Sequence, residues 1–252
     1  MPNPKVHAMP DHDAPTRTGD PAAQIDALSG SAESLEHTLA ELTDEQVREP
    51  SLLPGWTRGH VLTHIARNAD GLGNLVIWAK TGVETSMYVS REQRNADIEA
   101  GAGRSVTDLV ADVRESQATL MTALADLTEQ QWAATARAGS DNREFRATAI
   151  PWLRQMEVEV HHVDLNVDYT LAHWPEDFVE HLLSRAAADH SAHDGTPGFV
   201  LVASDNVGRW TVGPGGQEVT GPPPSLLGWL LGRTDGIGLH SDEPLPQIGA
   251  WR

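Results

Sequence analysis

The stretches GWTRGHVLTHIARNADGL (Gly55–Leu72) and RQMEVEVHHVDL (Arg154–Leu165) decide the fold, because both read as helices and together they carry metal-ligand residue types. In the second stretch Glu157 and His161 are four residues apart, which places them about 40° apart around a helix. His64 in the first stretch would have to reach the same ion from a facing helix. Two histidines and one carboxylate leave a fourth position open, as in catalytic rather than structural zinc sites.

Apolar residues recur at helical spacing on both sides of the first stretch. Thr57 has the residue type of an N-cap, for a helix predicted to reach about Ala79. Further helices are predicted over residues 21–42, 90–100 and 105–127. An irregular stretch is predicted at 133–148, before the helix that carries Glu157. Four long helices linked in this way predict a bundle whose core can host a metal.

The pattern changes after Tyr169. A helix is predicted at about 175–193, then two short strands, FVLVAS and GRWTVG, and a helix that begins at the prolines of PPPSLLGWLLGR. The predicted fold class is therefore α plus α+β, a helical bundle followed by a smaller α+β domain. The predicted organisation is a disordered leader at 1–20, the metal-binding bundle at 21–170 and the C-terminal domain at 171–252.

The composition excludes several classes of protein. A net charge of −18 argues against nucleic acid and against an anionic membrane surface, both of which are bound through clustered basic side chains. The chain has no cysteine, which excludes disulfides, thiolate ligands and an internal thiol nucleophile. No apolar stretch of about 18 residues and no signal peptide are recognisable, so we predict a cytoplasmic protein.

His64 also has an ordinary interpretation. On a helical projection it lies at the margin of the apolar stripe, where a histidine commonly hydrogen-bonds a neighbour and binds no metal. His60 is four residues away and forms a rival pair with His64, but it projects further outward and is predicted to face solvent.

Projection of the second helix separates its polar residues into two faces. Glu157 and His161 lie on one stripe at the edge of the apolar face, together with Asp164 and Arg154, and Asp164 is a candidate for orienting a ligand imidazole. The alternative is an exposed Glu–His pair worth a few tenths of a kcal/mol. A second set is predicted to be solvated: Gln155, Glu159 and His162.

Four segments resemble the mycothiol-dependent maleylpyruvate isomerases, a family of the DinB-like metal-binding superfamily. They are LLPGWTRGHVLTHIARNA (52–69), NLVIWAKTGVETSMYVSREQRNADI (74–98), the Arg154–Leu165 stretch, and LLGWLLGRTDG (Leu226–Gly236). The resemblance covers nearly everything after about residue 21, with the segments in the same order. It implies a DinB-like four-helix bundle followed by the smaller α+β domain.

The resemblance also implies a site and a reaction. The metal, Zn²⁺ or another divalent ion, would be held by His64, Glu157 and His161, and mycothiol would supply the thiol that the chain lacks. Arg233 matches an arginine of the C-terminal domain that is important for activity; its alternative role is to complement the dipole at a helix C-terminus. The implied reaction converts maleylpyruvate to fumarylpyruvate in gentisate breakdown.

Other functions remain open on the sequence alone. A mycothiol S-transferase acting on another electrophile would share the metal ligands, and the 74–98 segment favours the isomerase over it. A metal hydrolase would act without added thiol. A non-enzymatic metal-dependent binding module would not depend on Arg233. The expected partners are a small dicarboxylate substrate and a low-molecular-weight thiol, with neither nucleic acid nor membrane, and a monomer is the working expectation.

Overall fold

The computed structural model describes residues 20–138, 143–205 and 207–251. The leader predicted at 1–20 lies outside these residues, apart from Asp20, whose side chain accepts a hydrogen bond from the Ala22 amide and caps the first helix. Contacts divide the chain into two compact units, one ending at Asp168 and the other beginning at Tyr169. Within the described part, no helix is both long and apolar enough to cross a membrane.

The first unit is built on four long helices, α1, α2, α4 and α6. Helix α2 packs against α4 and α6, and α1 packs against α6 and α4. Thr57 caps α2 as predicted, and Ser105 caps α4. The predicted fold class is therefore confirmed for this half. The helices run as follows: α1 Pro21–Glu41, α2 Arg58–Thr81, α3 Arg91–Gly101, α4 Val106–Ala125, α5 Glu129–Trp132 and α6 Ile150–Asp164.

The stretch predicted to be irregular contains a hairpin, so that prediction was wrong. Strand β1 (Thr135–Ala138) pairs antiparallel with β2 (Arg143–Arg146). Ala136 and Phe145 are partners in this register, and both are buried. Strands of four residues are too short to show an alternating pattern in the sequence, and one buried cross-strand pair anchors them.

The prediction of a solvated face on α6 was also wrong. Gln155, Glu159 and His162 are all buried, because α1 packs over this face. The Gln155 amide donates to the Ser31 hydroxyl at 3.3 Å, and the Thr38 hydroxyl lies 2.7 Å from His162 Nε2. Helical projection separates the polar faces of α6 correctly, but it cannot show that a neighbouring helix covers the second one.

Two buried arginines fix α2 against α6. Arg58, at the start of α2, donates from Nε to the Leu165 carbonyl at 2.6 Å and from a terminal nitrogen to the Asn166 carbonyl at 2.7 Å. It thereby binds carbonyls at the C-terminal end of α6, which lack partners within the helix. This contact brings the start of α2 beside the end of α6.

Arg154 makes the second attachment from within α6. One of its terminal nitrogens donates to the Ile65 carbonyl at 2.8 Å and to Asn68 Oδ1 at 2.9 Å, while its Nε donates to Gln117 Oε1 of α4. Burial lowers the pKa of Arg154 to about 10, which still leaves it charged at pH 7. Because Ile65 directly follows His64 and Arg154 lies one turn before Glu157, this contact sets the two helices in register at the ligands.

In its described residues, the second unit combines two α-helices with a three-stranded sheet. The strand order is β4-β3-β5, with β3 antiparallel to β4 and parallel to β5. The α+β prediction is confirmed, but β5 was not predicted, because QEVTG contains a single large apolar residue, Val219. The elements are α7 Glu176–Ala192, β3 Phe199–Ala203, β4 Arg209–Val212, β5 Gln217–Gly221 and α8 Pro223–Leu230.

Candidate metal centre

Three potential metal ligands converge between α2 and α6. One ligand atom from each of His64, Glu157 and His161 can be chosen so that all lie within 4.8 Å of one another. His64 Nε2 is 3.0 Å from His161 Nε2 and 2.9 Å from Glu157 Oε2, and His161 Nε2 is 3.5 Å from the same oxygen. Glu157 and His161 were paired by their spacing on one helix, and His64 was expected to reach them from a facing helix. The structure brings all three side chains together in one cluster.

The carboxylate oxygen at the centre of this cluster fits a cation. Glu157 Oε2 is buried and, despite its short distance to His64, makes no hydrogen bond of acceptable geometry. A buried carboxylate oxygen without a donor is unusual in a folded protein. Two imidazoles and a carboxylate form a donor set suited to Zn²⁺ and to several other divalent ions. The residues present therefore fit a divalent metal.

Electrostatics prepares the cluster for a cation. Burial, and then the neighbouring His161, lower the pKa of His64 to about 3, so this imidazole is neutral at pH 7. Burial acts to raise the pKa of the Glu157 carboxyl, but His161 and His64 outweigh it and hold that pKa below its ordinary value. Glu157 is therefore a carboxylate at neutral pH, with a full negative charge available to a metal.

His161 is oriented by a carboxylate behind it. Its Nδ1 lies 2.8 Å from Asp164 Oδ2, and Asp164 is fully buried. Burial acts to lower the pKa of His161, but Asp164 and Glu157 outweigh it and raise that pKa. In the neutral ring, with Nδ1–H donating to Asp164, the Nε2 lone pair is presented to the cluster. Asp164 thus lies in the position expected for a residue that orients the imidazole of His161.

Aromatic packing covers one side of His64. The buried Trp56 ring lies edge-on to the His64 ring, with 5.8 Å between centroids. His60, predicted to face solvent, is half-buried and lies outside the cluster. Its Nδ1 accepts a hydrogen bond from the Thr57 amide and so completes the cap of α2. The rival His60–His64 pair is therefore explained by helix capping.

Arg233 lies in the second unit, directly after α8. Gly232 takes a left-handed conformation with φ of 69°, and the Arg233 amide donates to the Gly228 carbonyl at 2.8 Å, which ends the helix. The half-buried guanidinium donates to the Leu231 carbonyl, also at 2.8 Å. This bond matches the alternative role at a helix C-terminus. The role of Arg233 in the reaction stays a prediction.

One residue beside the cluster was not identified from the sequence. A terminal nitrogen of Arg94, in α3, lies 3.1 Å from His64 Nδ1, and Arg94 is 8% exposed. Arg94 falls inside the 74–98 segment, which was noted only for its resemblance. Its neighbours in sequence, Gln93 and Asn95, are polar, and no spacing rule connects it with His64, 30 residues earlier.

Two family models match the chain. The model described as "Mycothiol maleylpyruvate isomerase N-terminal domain" matches residues 28–166, and "MDMPI C-terminal domain" matches residues 173–247. No curated protein sequence matches the chain significantly.

Solved structures give a similar result. The crystal structure of the mycothiol-dependent maleylpyruvate isomerase matches at a TM-score of 0.88 and 28% identity, covering 94% of this chain and 100% of the other. A mutant of that enzyme, with one histidine replaced by alanine, matches at 0.88 and 27% over the same shares. YfiT from Bacillus subtilis, at 16% identity and 0.49, is too remote to carry an inference. The N-terminal model alone spans more than half of the sequence, and the chain therefore belongs to the mycothiol-dependent maleylpyruvate isomerase family, a family of enzymes.

Proposed function

We propose that this chain is a cis–trans isomerase that converts maleylpyruvate to fumarylpyruvate by metal-assisted addition and elimination of mycothiol, as a step of gentisate degradation. The observation that carries the proposal is the cluster of His64 and Glu157, both buried, with the half-buried His161 in a chain of this family. The likeness in fold extends over both units, which supports a shared reaction as well as a shared metal site.

The proposed metal ligands are His64, Glu157 and His161, with Zn²⁺ as the proposed ion. Two neutral imidazoles and one carboxylate neutralise only half the charge of a divalent ion, so the site keeps a net positive charge for an anionic ligand. The bound ion would take the mycothiol sulfur in its open position and favour the thiolate. Since the chain contains no cysteine, the nucleophile has to come from outside.

The thiol is needed because a carbon–carbon double bond does not rotate thermally at a useful rate. Addition of the thiolate to the alkene forms a carbon–sulfur bond and moves an electron pair onto the neighbouring carbonyl oxygen as an enolate. Rotation then occurs about a single bond, and return of the electron pair expels the thiolate and restores the alkene in the trans form. The thiol is regenerated, and no oxidant or reductant is consumed.

Arg233 is the proposed partner of the substrate. A guanidinium can pair with a carboxylate through two parallel hydrogen bonds, or stabilise the enolate oxygen as charge develops there. We accordingly propose two domains, a metal-binding bundle at 21–170 and a C-terminal domain at 171–252 that contributes Arg233. The cytoplasmic location and the monomeric state stay predictions.

The proposal is tested by following the ultraviolet spectrum of maleylpyruvate with zinc-loaded protein, with and without mycothiol. We expect conversion to fumarylpyruvate only when the thiol is present, and no conversion by Glu157→Gln protein under the same conditions. Conversion without thiol would contradict an external nucleophile. A zinc-loaded protein that converts nothing in either case would contradict the isomerase and favour the mycothiol S-transferase.

The role of Arg233 is tested separately by Arg233→Lys. Lysine keeps the charge but lacks the planar pair of donors, so we expect kcat/KM to fall about 100-fold, the typical cost of losing one donor to a developing oxyanion. Metal content should be unchanged. Arg209→Lys is a matched control, because Arg209 is an exposed β4 residue paired with Glu218. Equal kinetics for the two variants would remove Arg233 from the reaction.

A further inference from the structure

The two histidines of the cluster have hydrogen-bond partners of opposite type at Nδ1. His161 Nδ1 faces the Asp164 carboxylate at 2.8 Å, and a carboxylate can only accept. His64 Nδ1 faces the Arg94 guanidinium at 3.1 Å, and arginine can only donate. An imidazole that binds a metal through Nε2 normally donates from Nδ1, so His161 has the usual arrangement and His64 the reverse.

Arg94 is fixed in this position. It is buried in α3, and one terminal nitrogen donates to Asn95 Oδ1 at 3.0 Å while the other faces His64. Its guanidinium carbon also stands 5.7 Å from the centre of the Tyr88 ring, within the range of a cation–π contact. The contact with His64 is therefore one of three that hold the guanidinium.

These contacts determine which tautomer each imidazole adopts in its neutral form. Because Arg94 donates to His64 Nδ1, the single proton of His64 is on Nε2, and Nε2–H can donate to His161 Nε2 at 3.0 Å. His161 carries its proton on Nδ1, toward Asp164, so its Nε2 accepts. The result is one directional hydrogen-bond chain, which leaves Glu157 Oε2 without a donor, as observed.

A metal bound at the cluster is incompatible with two hydrogen bonds of this series, the one from Arg94 to His64 Nδ1 and the one from His64 Nε2 to His161 Nε2. To bind the ion, His64 Nε2 must offer a lone pair, so its proton leaves to solvent and Nδ1 takes one up. Nδ1–H then faces a donor that is also positively charged, close to a divalent cation. The other end of the chain needs no change, since His161 Nε2 already carries a lone pair.

We propose that Arg94 competes with the metal for His64, so that metal loading requires the Arg94–His64 hydrogen bond to break and the site binds metal more weakly than its three ligands alone would. The proposal rests on the metal site proposed above. It makes Arg94 a positioning residue that acts through His64 and sets metal affinity, a role that the family resemblance does not assign to it.

The first test measures Zn²⁺ affinity by competition with a chromophoric chelator, at a pH above the raised pKa of His161. Arg94→Gln removes the charge and offers an amide oxygen that can accept from Nδ1–H. We expect it to bind Zn²⁺ at least about 10-fold more tightly, by analogy with the usual effect of a partner behind a ligand histidine. Arg94→Lys retains charge and donor and should stay close to the wild-type affinity.

The matched control is Arg91→Gln, which makes the same change of charge at an exposed position of the same helix. It should leave the affinity unchanged. Unchanged or weaker Zn²⁺ binding by Arg94→Gln would overturn the proposed role of Arg94. It would leave the proposed metal site intact, because the wild type would still bind metal. Absence of Zn²⁺ binding by the wild type would overturn the proposed metal site and this proposal with it.

The second test does not require any variant to fold. In metal-free wild-type protein, ¹⁵N spectra of the histidine rings report which nitrogen of His64 carries the proton. We expect the Nε2–H tautomer without metal and the Nδ1–H form after one equivalent of Zn²⁺. A purely structural arginine would not impose this exchange, and an Nδ1–H tautomer in the metal-free protein would overturn the proposal.

Discussion

Helix α6 carries a glutamate and a histidine on each of two opposite faces, and only one of these faces is a candidate metal site. Glu157 and His161 meet His64 of α2, while Glu159 and His162 lie on the face that includes Gln155, against α1. The two glutamates are equally hidden, at 3% and 1% exposure. Burial of these residue types therefore does not distinguish the two faces.

The difference lies in what the opposite helix supplies. Helix α2 offers an imidazole whose Nε2 is within 3.0 Å of both partners on α6. Helix α1 offers hydroxyls instead, and the Thr38 hydroxyl lies 2.7 Å from His162 Nε2. A hydroxyl can hydrogen-bond one nitrogen of a buried imidazole, which gives stability without a binding site. The third potential ligand, His64, is what makes the Glu157 face a candidate metal site.

The strongest test of this comparison removes side chains from each face in turn, beginning with the proposed metal ligands. His64→Ala, Glu157→Ala and His161→Ala should each reduce bound metal from one equivalent to nearly none, because two ligands on a protein rarely compete with water for Zn²⁺. Elemental analysis of the purified proteins measures this directly. Full retention by any of the three would remove that residue from the site.

The matched control is His162→Ala on the opposite face. It should retain one equivalent of metal and instead lose about 2 kcal/mol of unfolding free energy, a usual cost for a change in the core. Loss of metal by this variant would contradict the assignment of the metal site to the Glu157 face of α6.

The sequence placed Glu157 and His161 on one face of α6 because their spacing is local. Glu157 and His161 are four residues apart, and the separation of α6 into two polar faces follows from helical geometry alone. Contacts between distant segments were not predictable in the same way. The burial of Gln155, Glu159 and His162 depends on α1, which lies more than 100 residues earlier in the chain, and no period in α6 records it.

Arg94 shows the same limit within the site itself. It reaches His64 because α3 packs beside α2, and its flanking residues give no periodic signal that would mark it as buried. Strand β5 was missed for a related reason: its pairing with β3 stabilises a five-residue segment whose single large apolar side chain gives no strand pattern. The sequence thus predicted the helices and the bundle, and missed these particular packing contacts.

A smaller effect is expected from the carboxylate behind His161. Asp164→Asn removes the charge and can turn an amide donor toward His161 Nδ1, so the ring is held less firmly in the tautomer that binds metal. We expect metal affinity to fall about 10- to 100-fold, the usual cost of losing such a partner. Asp168→Asn makes the same change of charge at an exposed position four residues later and should have no effect. Equal affinities in the two variants would reduce Asp164 to a packing role.

The smallest expected effect concerns the face of α6 that lies outside the candidate metal site. Thr38→Val keeps the shape of the side chain but removes the hydroxyl that lies 2.7 Å from His162 Nε2. Loss of one buried hydrogen bond should lower the free energy of unfolding by about 1 kcal/mol, or Tm by about 2–4 °C for a chain of this size. Because α1 does not contribute to the cluster, Zn²⁺ affinity should be unchanged. Urea denaturation of the metal-free protein measures the first quantity and chelator competition the second. A variant of unchanged stability that binds Zn²⁺ more weakly would show that the two faces of α6 are coupled, and that the hydroxyl on α1 helps to place the ligands on the other side of the helix.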